Sequence, residues 1–283
     1  MASFTNFATL SYNGGTTNSN IVTGEILEAL TAVKTAVSAN YSAGDRITYA
    51  LSLVNTGTAA ITDYTVTDNL GGYTVGANTV YPLAYNAGTV RYYINGVLQA
   101  APTVTAGPPL TVTGLTVPAG GNAVLIYETT ATPVAPLATG SSITNTATIT
   151  GGGLTTPITA QATVDTANSA ELSISKALSP TTVTENGQIT YTFVISNTGN
   201  TEATATGNVV VTDTFAPILR NIAVTYNGTA WTEVTNYTYN AATGVFTTLA
   251  GQITVPAASF TQNTDGTFTV TPGTATLVIT GTV

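Results

Sequence analysis

Short stretches in which apolar and polar residues alternate run through most of the chain, and Gly, Pro and Asn separate them. In ITYALSLV, residues 47–54, and in SITNTATI, residues 142–149, one face of the stretch is mostly apolar. A period of two is typical of strands, and many short strands at this spacing predict immunoglobulin-like β-sandwiches. Residues 22–33, VTGEILEALTAV, give a weak helical pattern, but their β-branched residues favour a strand followed by a linker. The pattern therefore predicts an all-β fold.

The chain contains an internal repeat. Residues 30–57, LTAVKTAVSANYSAGDRITYALSLVNTG, match residues 172–199, LSISKALSPTTVTENGQITYTFVISNTG, without a gap. Downstream, VTDNL (66–70) matches VTDTF (211–215), and VLIYETT (124–130) matches TLVITGT (276–282). Each copy has the length of an ordinary domain, which predicts two tandem immunoglobulin-like sandwiches.

The N-terminus carries a segment that resembles the closing strand of a repeat. SFTNFATL, residues 3–10, is similar to SITNTATI, which closes the first repeat, whereas the second repeat reaches Val283 without such a segment. By alternation Phe4, Asn6, Ala8 and Leu10 share the face that points inward in the other copy. We therefore predict a donor strand over residues ~3–12 that completes the second sandwich. The predicted organisation is a donor strand and linker (1–24), a first sandwich (25–152) and a second sandwich (153–283).

Two geometries would complete the second sandwich. The donor strand could enter the second sandwich of the next molecule, and a heterologous contact of this kind propagates into a fibre. It could instead fold back onto its own second sandwich and give a closed monomer. The direct connection from the donor strand to the first repeat favours the fibre, and the matching register disfavours a disordered tail.

Composition narrows the function. Charged residues make up only 6% of the chain, the net charge is −8, and both Cys and His are absent. The absence of His and Cys argues against a metalloenzyme or a Ser-His-Asp hydrolase, and the scattered acidic residues leave a carboxylate-based enzyme as a weak alternative. We therefore expect no enzyme activity, metal site or cofactor, and five basic residues cannot form a nucleic-acid surface. No apolar stretch is long enough to span a membrane, and no signal peptide is visible at the start, so the export route stays open.

The two lysines of the chain, Lys34 and Lys176, occupy equivalent places in the two repeats. The alternation of apolar and polar residues places both lysine side chains on the inward face of their strands. It places one acidic and one amide side chain on the inward face near each lysine. These predicted trios are Lys34 with Asp68 and Asn145, and Lys176 with Asp213 and Asn6.

Each trio has two interpretations. The Lys and Asp could form an ion pair, with Asn as a hydrogen-bond partner, that fixes the strand register. Alternatively, desolvation makes the amine nucleophilic, and the buried acid assists its attack on the Asn amide, which gives an isopeptide bond. The first trio would link strands within a domain, whereas the second would join two molecules. Glu128 is an alternative acid, but Thr280 replaces it in the second repeat.

Five segments carry a family resemblance. GDRITYALSLVNTG (44–57), GQITYTFVISNTG (187–199), the two VTD motifs and SITNTATIT (142–150) resemble the DUF11 repeat family, the conserved repeat domain of bacterial and archaeal cell-surface proteins. The resemblance covers nearly the whole chain, twice over. It implies an immunoglobulin-like sandwich at the cell surface or outside the cell, and it implies no enzymatic activity. The departure from the family pattern is that the closing motif of the second unit lies at the front.

These observations predict a structural subunit of an extracellular filament that polymerises with itself, head to tail, by donor-strand insertion. The alternative is a monomeric cell-surface adhesin or carbohydrate-binding module whose second sandwich is closed intramolecularly. Its sugar-binding surface would use strand tyrosines, although such residues more often pack across strands. The candidates are Tyr92, Tyr93, Tyr237 and Tyr239.

Overall fold

The computed structural model describes residues 2–26 and 29–283, and apart from one 3-10 turn the regular secondary structure of these residues is β-strand. Its first part, residues 2–26, pairs only with itself, and we call it the N-terminal hairpin. The hairpin contains β1 (Ala2–Asn6), β2 (Thr9–Tyr12), β3 (Gly15–Asn18) and β4 (Val22–Ile26). The predicted all-β fold is confirmed.

The first sandwich spans residues 30–166. Its strands are β5 (Leu30–Ala36), β6 (Asn40–Tyr41), β7 (Arg46–Asn55), β8 (Ile61–Asp68), β9 (Tyr73–Val75), β10 (Asn78–Val80), β11 (Leu83–Tyr85), β12 (Arg91–Ile94), β13 (Val97–Leu98), β14 (Thr103–Thr105), β15 (Leu110–Val117), β16 (Asn122–Ala131), β17 (Ser142–Gly151) and β18 (Ile158–Thr166). One sheet has the order β13-β12-β16-β7-β5, with β11 also paired to β16, and the other has the order β14-β15-β8-β17-β18-β6. Every second residue of β7, β16 and β17 is buried between these sheets, as the alternation predicts.

The second sandwich spans residues 172–283. Its strands are β19 (Leu172–Ser179), β20 (Gln188–Asn197), β21 (Thr212–Thr214), β22 (Arg220–Tyr226), β23 (Thr229–Trp231), β24 (Tyr237–Asn240), β25 (Val245–Thr248), β26 (Ser259–Gln262), β27 (Phe268–Thr271) and β28 (Gly273–Thr282). One sheet has the order β19-β20-β28-β22-β23, the facing sheet has the order β21-β25-β24, and β26 pairs with β27. A 3-10 turn covers Ala205–Gly207.

Two motifs of the repeat have structural roles that recur in both sandwiches. Asn55 and Asn197, from the two NTG sequences, are buried, and each accepts a 2.9 Å hydrogen bond from the backbone of its own glycine. Their amides donate to Ala59 and Thr201 at 2.8 Å and 2.7 Å, so each Asn holds the loop that follows its strand. Asn-Gly pairs with positive φ angles close the β12–β13 and β22–β23 hairpins, as expected for a type I′ turn.

The structure differs from the predicted organisation at two places. The predicted boundary at residue 152 falls in the loop between β17 and β18, because β18 pairs with β17 and its inward residues belong to the first core. The predicted linker after the donor strand instead contains β3 and β4, which pair back onto the strand itself. Of the strand and linker predicted over residues 22–33, residues 22–26 form β4 and β5 begins at Leu30, while residues 27 and 28 lie outside the described residues.

Candidate functional site

Lys34 lies in the interior of the first sandwich. It occupies the middle of the edge strand β5, and no part of its side chain is exposed to solvent. Its Nζ lies 2.5 Å from Oδ2 of Asp68, which is the last residue of β8 in the facing sheet. The aromatic ring of Tyr49 covers the amine, with its centroid 4.8 Å from Nζ.

The Asp68 carboxylate is held from three sides. Its Oδ1 accepts a 2.9 Å hydrogen bond from the backbone N–H of Leu70, and its Oδ2 accepts from the hydroxyl of Tyr127 as well as from Lys34. The interaction with Tyr127 was not predicted, and it has no equivalent in the second sandwich because Ile279 stands in that place. The carboxylate is therefore fixed in position beside the amine.

Asn145 is buried completely, and neither atom of its amide has a hydrogen-bond partner of good geometry. It lies on β17, two residues before Ala147, which pairs with Asp68 on β8. Its amide is close to the hydroxyls of Tyr49 and Tyr127. Leaving a buried amide unpaired costs about 1–3 kcal/mol, so a residue kept there for stability alone would be a poor choice.

The surroundings of the first trio shift the Lys34 amine toward its uncharged form. Burial lowers the pKa of Lys34 to about 8, although the charge and hydrogen bond of Asp68 oppose the shift. Burial and the nearby carboxylate raise the pKa of the Tyr127 hydroxyl, so that hydroxyl stays a proton donor. A dry amine, a fixed carboxylate and an unpaired amide are the three groups that amide transfer from Asn to Lys requires.

The second sandwich contains the equivalent Lys and Asp in a wetter place. Lys176 Nζ lies 2.5 Å from Oδ2 of Asp213, and the Tyr191 ring centroid is 4.5 Å away. The ion-pair geometry therefore matches that of Lys34 and Asp68. In contrast, 40% of the Lys176 side chain and 18% of the Asp213 side chain are exposed to solvent.

Asn6, the predicted third member of the second trio, lies on the N-terminal hairpin and is exposed. The donor-strand residues are exposed with it: Phe4 is 54% exposed and Leu10 is 61% exposed, and Ala8 is also exposed. Their counterparts on β17 are buried, and Ile143, which answers to Phe4, is 2% exposed. In the structure the hairpin does not fill the second sandwich of its own chain.

The second sandwich is open where the first is closed. In the first sandwich β8 pairs with β15 on one side and with β17 on the other. Its counterpart β21 pairs with β25, and no strand of the described residues pairs with its opposite edge. Likewise, β5 is partly buried, whereas all residues of its counterpart β19 are exposed.

The other predicted candidates do not form sites. Glu128 points outward and pairs with Arg46 at 3.4 Å on the surface, so it is not part of the first trio. Tyr92 and Tyr237 are buried, and the Tyr239 hydroxyl donates to the backbone of Leu219 at 2.8 Å. Together with the half-buried Tyr93, these tyrosines are divided between two sandwiches and do not form one exposed sugar-binding surface.

Residues 2–26 and 29–283 contain no cluster of three or more acidic, His or Cys side chains suited to a metal ion. Within the same residues, no helix is long and apolar enough to cross a membrane.

Comparison with known proteins gives distant structural matches. No protein-family model and no curated protein matches the chain, so the resemblance to DUF11 stays a prediction. The N-terminal domain of the Streptococcus gordonii adhesin Sgo0707 is 15% identical over 47% of this chain and 31% of that one, with a TM-score of 0.35. The pilus backbone RrgB of Streptococcus pneumoniae is 14% identical over 86% of this chain and 55% of that one, with a TM-score of 0.36. BcpA, the major pilin subunit of Bacillus cereus, is 15% identical over 96% of this chain and 73% of that one, with a TM-score of 0.35. The chain thus spans about a third and about half of the first two. Likeness at this level identifies neither a family nor a function.

Proposed function

We propose that the chain is the structural subunit of an extracellular filament, located at a bacterial or archaeal cell surface. The first arm of the N-terminal hairpin, residues 2–12, inserts into the second sandwich of the next subunit and pairs with the free edge of β21. The observation that carries this proposal is a complementary pair of features in one chain. The hairpin exposes side chains whose counterparts on β17 are buried in the first sandwich. Among its described residues, the second sandwich has no strand in the position that β17 occupies in the first.

The connection between hairpin and first sandwich supports an intermolecular joint. β4 ends at Ile26 and β5 begins at Leu30, so the two ends are at most about 14 Å apart. A similarly short segment connects β18 to β19 between the two sandwiches. Both connections are anchored alike, because Thr56 and Thr198 donate backbone hydrogen bonds to Ala29 and Glu171 at 2.8 Å and 2.9 Å. The joint between subunits would then repeat the joint within a subunit.

The two trios would lock the polymer covalently. In the first, Lys34 Nζ attacks Cγ of Asn145, the bond from Cγ to Nδ2 breaks, and the nitrogen leaves as ammonia. Asp68 accepts the proton of the amine and returns one to the leaving nitrogen. In the second trio Lys176 would attack the amide of Asn6 on the inserted hairpin with Asp213 as the proton carrier. The resulting isopeptide bond links two subunits.

The filament is tested by electron microscopy of the purified full chain after negative staining. We expect fibres from the wild type and none from a variant with Phe4→Asp and Leu10→Asp, because charges on the inserted face cannot be buried. The matched control is Thr5→Asp with Thr9→Asp on the opposite face of the same arm, which should polymerise. Monomers from the wild type would refute the proposal and favour the adhesin. Fibres from the variant with the charged inner face would refute it as well.

The cross-links are tested on the same preparation by mass spectrometry. Each isopeptide bond lowers the mass by about 17 Da, the mass of ammonia. We expect one loss in the subunit of the variant with the charged inner face, which keeps the first trio. Wild-type filaments should resist boiling in detergent and run as a ladder on gels, whereas an unchanged mass and clean dissociation into monomers would refute both bonds.

A further inference from the structure

In the first sandwich β17 does not close the fold alone. β18 pairs with it antiparallel along its length, from Ser142 opposite Asp165 to Ile149 opposite Ile158. β18 also packs beside β5, the edge strand of the facing sheet that carries Lys34. Its inward residues Ala160, Ala162 and Val164 are buried, so this strand closes the sandwich along the side of β5.

The same side of the second sandwich is uncovered. β19, which answers to β5, is exposed at each of its residues. Leu172 is 40% exposed, whereas its counterpart Leu30 is 3% exposed, and Ile174 is 55% exposed. A single strand inserted beside β21 would occupy the position in the second sandwich that β17 has in the first. The position equivalent to β18 would stay unoccupied.

The second arm of the N-terminal hairpin matches β18 in register. Asn6 lies opposite Val22, as Asn145 lies opposite Ala162. Phe4 lies opposite Gly24, where the first sandwich has Ile143 opposite Val164. A Cβ placed on Gly24 would come within 2.4 Å of the Phe4 ring, so the ring lies over the glycine. The pair of Phe4 and Gly24 thus corresponds to the pair of Ile143 and Val164, with one large and one absent side chain in the place of two of intermediate size.

The hairpin is also built to hold its two arms together. Its tip is Asn13-Gly14, with φ angles of 44° and 80°, which is the geometry of a type I′ turn. The arms pair on both sides of a short irregular stretch, where Ser19 donates a 2.8 Å backbone hydrogen bond to Ala8 and accepts one from it through its hydroxyl. The hairpin therefore exists as a paired unit before any insertion.

We infer that the element donated to the next subunit is the whole hairpin, residues 2–26, and that its second arm lies along β19 of that subunit. This inference rests on the proposed filament and names a second contact surface for it. The second arm would bury the apolar residues of β19 and exclude water from Lys176, as β18 does for β5 and Lys34.

A single cysteine on β19 tests the inference, because the chain contains no cysteine of its own. Ile174→Cys places a thiol on the inward face, and Ser173→Cys is the matched control on the outward face, where its counterpart Thr31 stays exposed in the closed first sandwich. Each is labelled with a maleimide in filaments and in subunits kept monomeric by Phe4→Asp with Leu10→Asp. In filaments we expect Ile174→Cys to react at least about tenfold more slowly than in monomers, and Ser173→Cys to react equally in both.

Filaments in which the thiol of Ile174→Cys reacts as fast as in monomers would overturn the hairpin inference and leave single-strand insertion intact. A wild-type chain that forms no filaments would instead overturn the proposed function. A second measurement does not depend on the thiol: Val22→Asp charges the inward face of the second arm, and Thr23→Asp charges its outward face. We expect only Val22→Asp to abolish filaments, and filaments from Val22→Asp would contradict the inference.

Discussion

Phe4 and Phe7 offer a sharp test of which face of the hairpin is inserted. Both are phenylalanines on the same arm, and both are 54% exposed in the subunit. They lie on opposite faces: Phe4 answers to Ile143, which is 2% exposed, and Phe7 answers to the half-buried Thr146. Replacing each with Ala therefore removes the same atoms from positions that insertion should bury to different extents.

The expected difference follows from the area involved. An aromatic side chain offers about 200 Å² for burial, and insertion would remove the remaining half of Phe4, about 100 Å², from water. At about 25 cal/mol per Å² this contributes about 2.5 kcal/mol to the joint. The concentration at which half of the subunits polymerise should accordingly rise about 70-fold for Phe4→Ala. For Phe7→Ala we expect a rise of a few-fold at most.

The measurement needs a reversible joint, so both substitutions are made together with Asn6→Ala, which removes the proposed cross-link between subunits. Sedimentation of the two variants and of Asn6→Ala alone, over a range of concentrations, gives the three midpoints. Equal shifts for Phe4→Ala and Phe7→Ala would show that the arm is not inserted by the face that β17 buries. A larger shift for Phe7→Ala would mean that the register is displaced by one residue.

Three further predictions concern the first trio and the junction between the sandwiches. Asn145→Ala should remove the internal loss of ammonia, which intact mass measures. It should also lower the free energy of unfolding by about 4–5 kcal/mol, because the bond to Lys34 closes a loop of roughly a hundred residues, and thermal unfolding measures this. In that variant, stability should rise between about pH 8 and 10, because the folded pKa of Lys34, about 8, lies below its unfolded value of 10.5 and the unfolded chain binds more protons in that window. Adding Lys34→Met to Asn145→Ala should abolish the rise. A stability that does not change with pH in Asn145→Ala alone would contradict the lowered pKa of Lys34. Asn200→Ala should loosen the two sandwiches, since its amide donates to the backbone of Leu137 at 2.9 Å and of Ala167 at 2.8 Å; an unchanged small-angle scattering profile would show that other contacts hold the junction.

The sequence was most informative where alternation and the internal repeat agree. Lys34, Asp68 and Asn145 lie on well-formed strands whose apolar neighbours fix the inward face, so their common place in the core could be predicted. Tyr127 could not be assigned a role in the same way, because the second repeat has Ile279 in its place and the comparison hides it. Its hydrogen bond to Asp68 joins two strands of different sheets, β16 and β8, which are far apart in the sequence, so no local pattern contains it.

The sequence pattern does not distinguish the second arm of the hairpin from a linker, and the reason is different. Residues 15–26 contain few apolar side chains and many Thr, Gly and Asn, so their alternation is weak. The signal that could have identified the arm is the Asn13-Gly14 pair, which is a strong indicator of a two-residue hairpin. The boundary predicted at residue 152 places β18 with the wrong sandwich, because its inward residues Ala160 and Ala162 have small side chains that give little contrast with the polar residues beside them.

If the chain assembles as proposed, the difference between the two lysines predicts an order of events. The Lys–Asp distance is 2.5 Å in both sandwiches, so the geometry of the pair does not distinguish them. What distinguishes them is water: the Lys34 side chain is fully buried, whereas 40% of the Lys176 side chain is exposed. A solvated ammonium is a poor nucleophile, and desolvation is what would activate it. Under the proposed insertion the hairpin brings both the Asn6 amide and the cover that excludes water. The bond between subunits could then form only after a correct insertion, and a misplaced arm would stay free to dissociate.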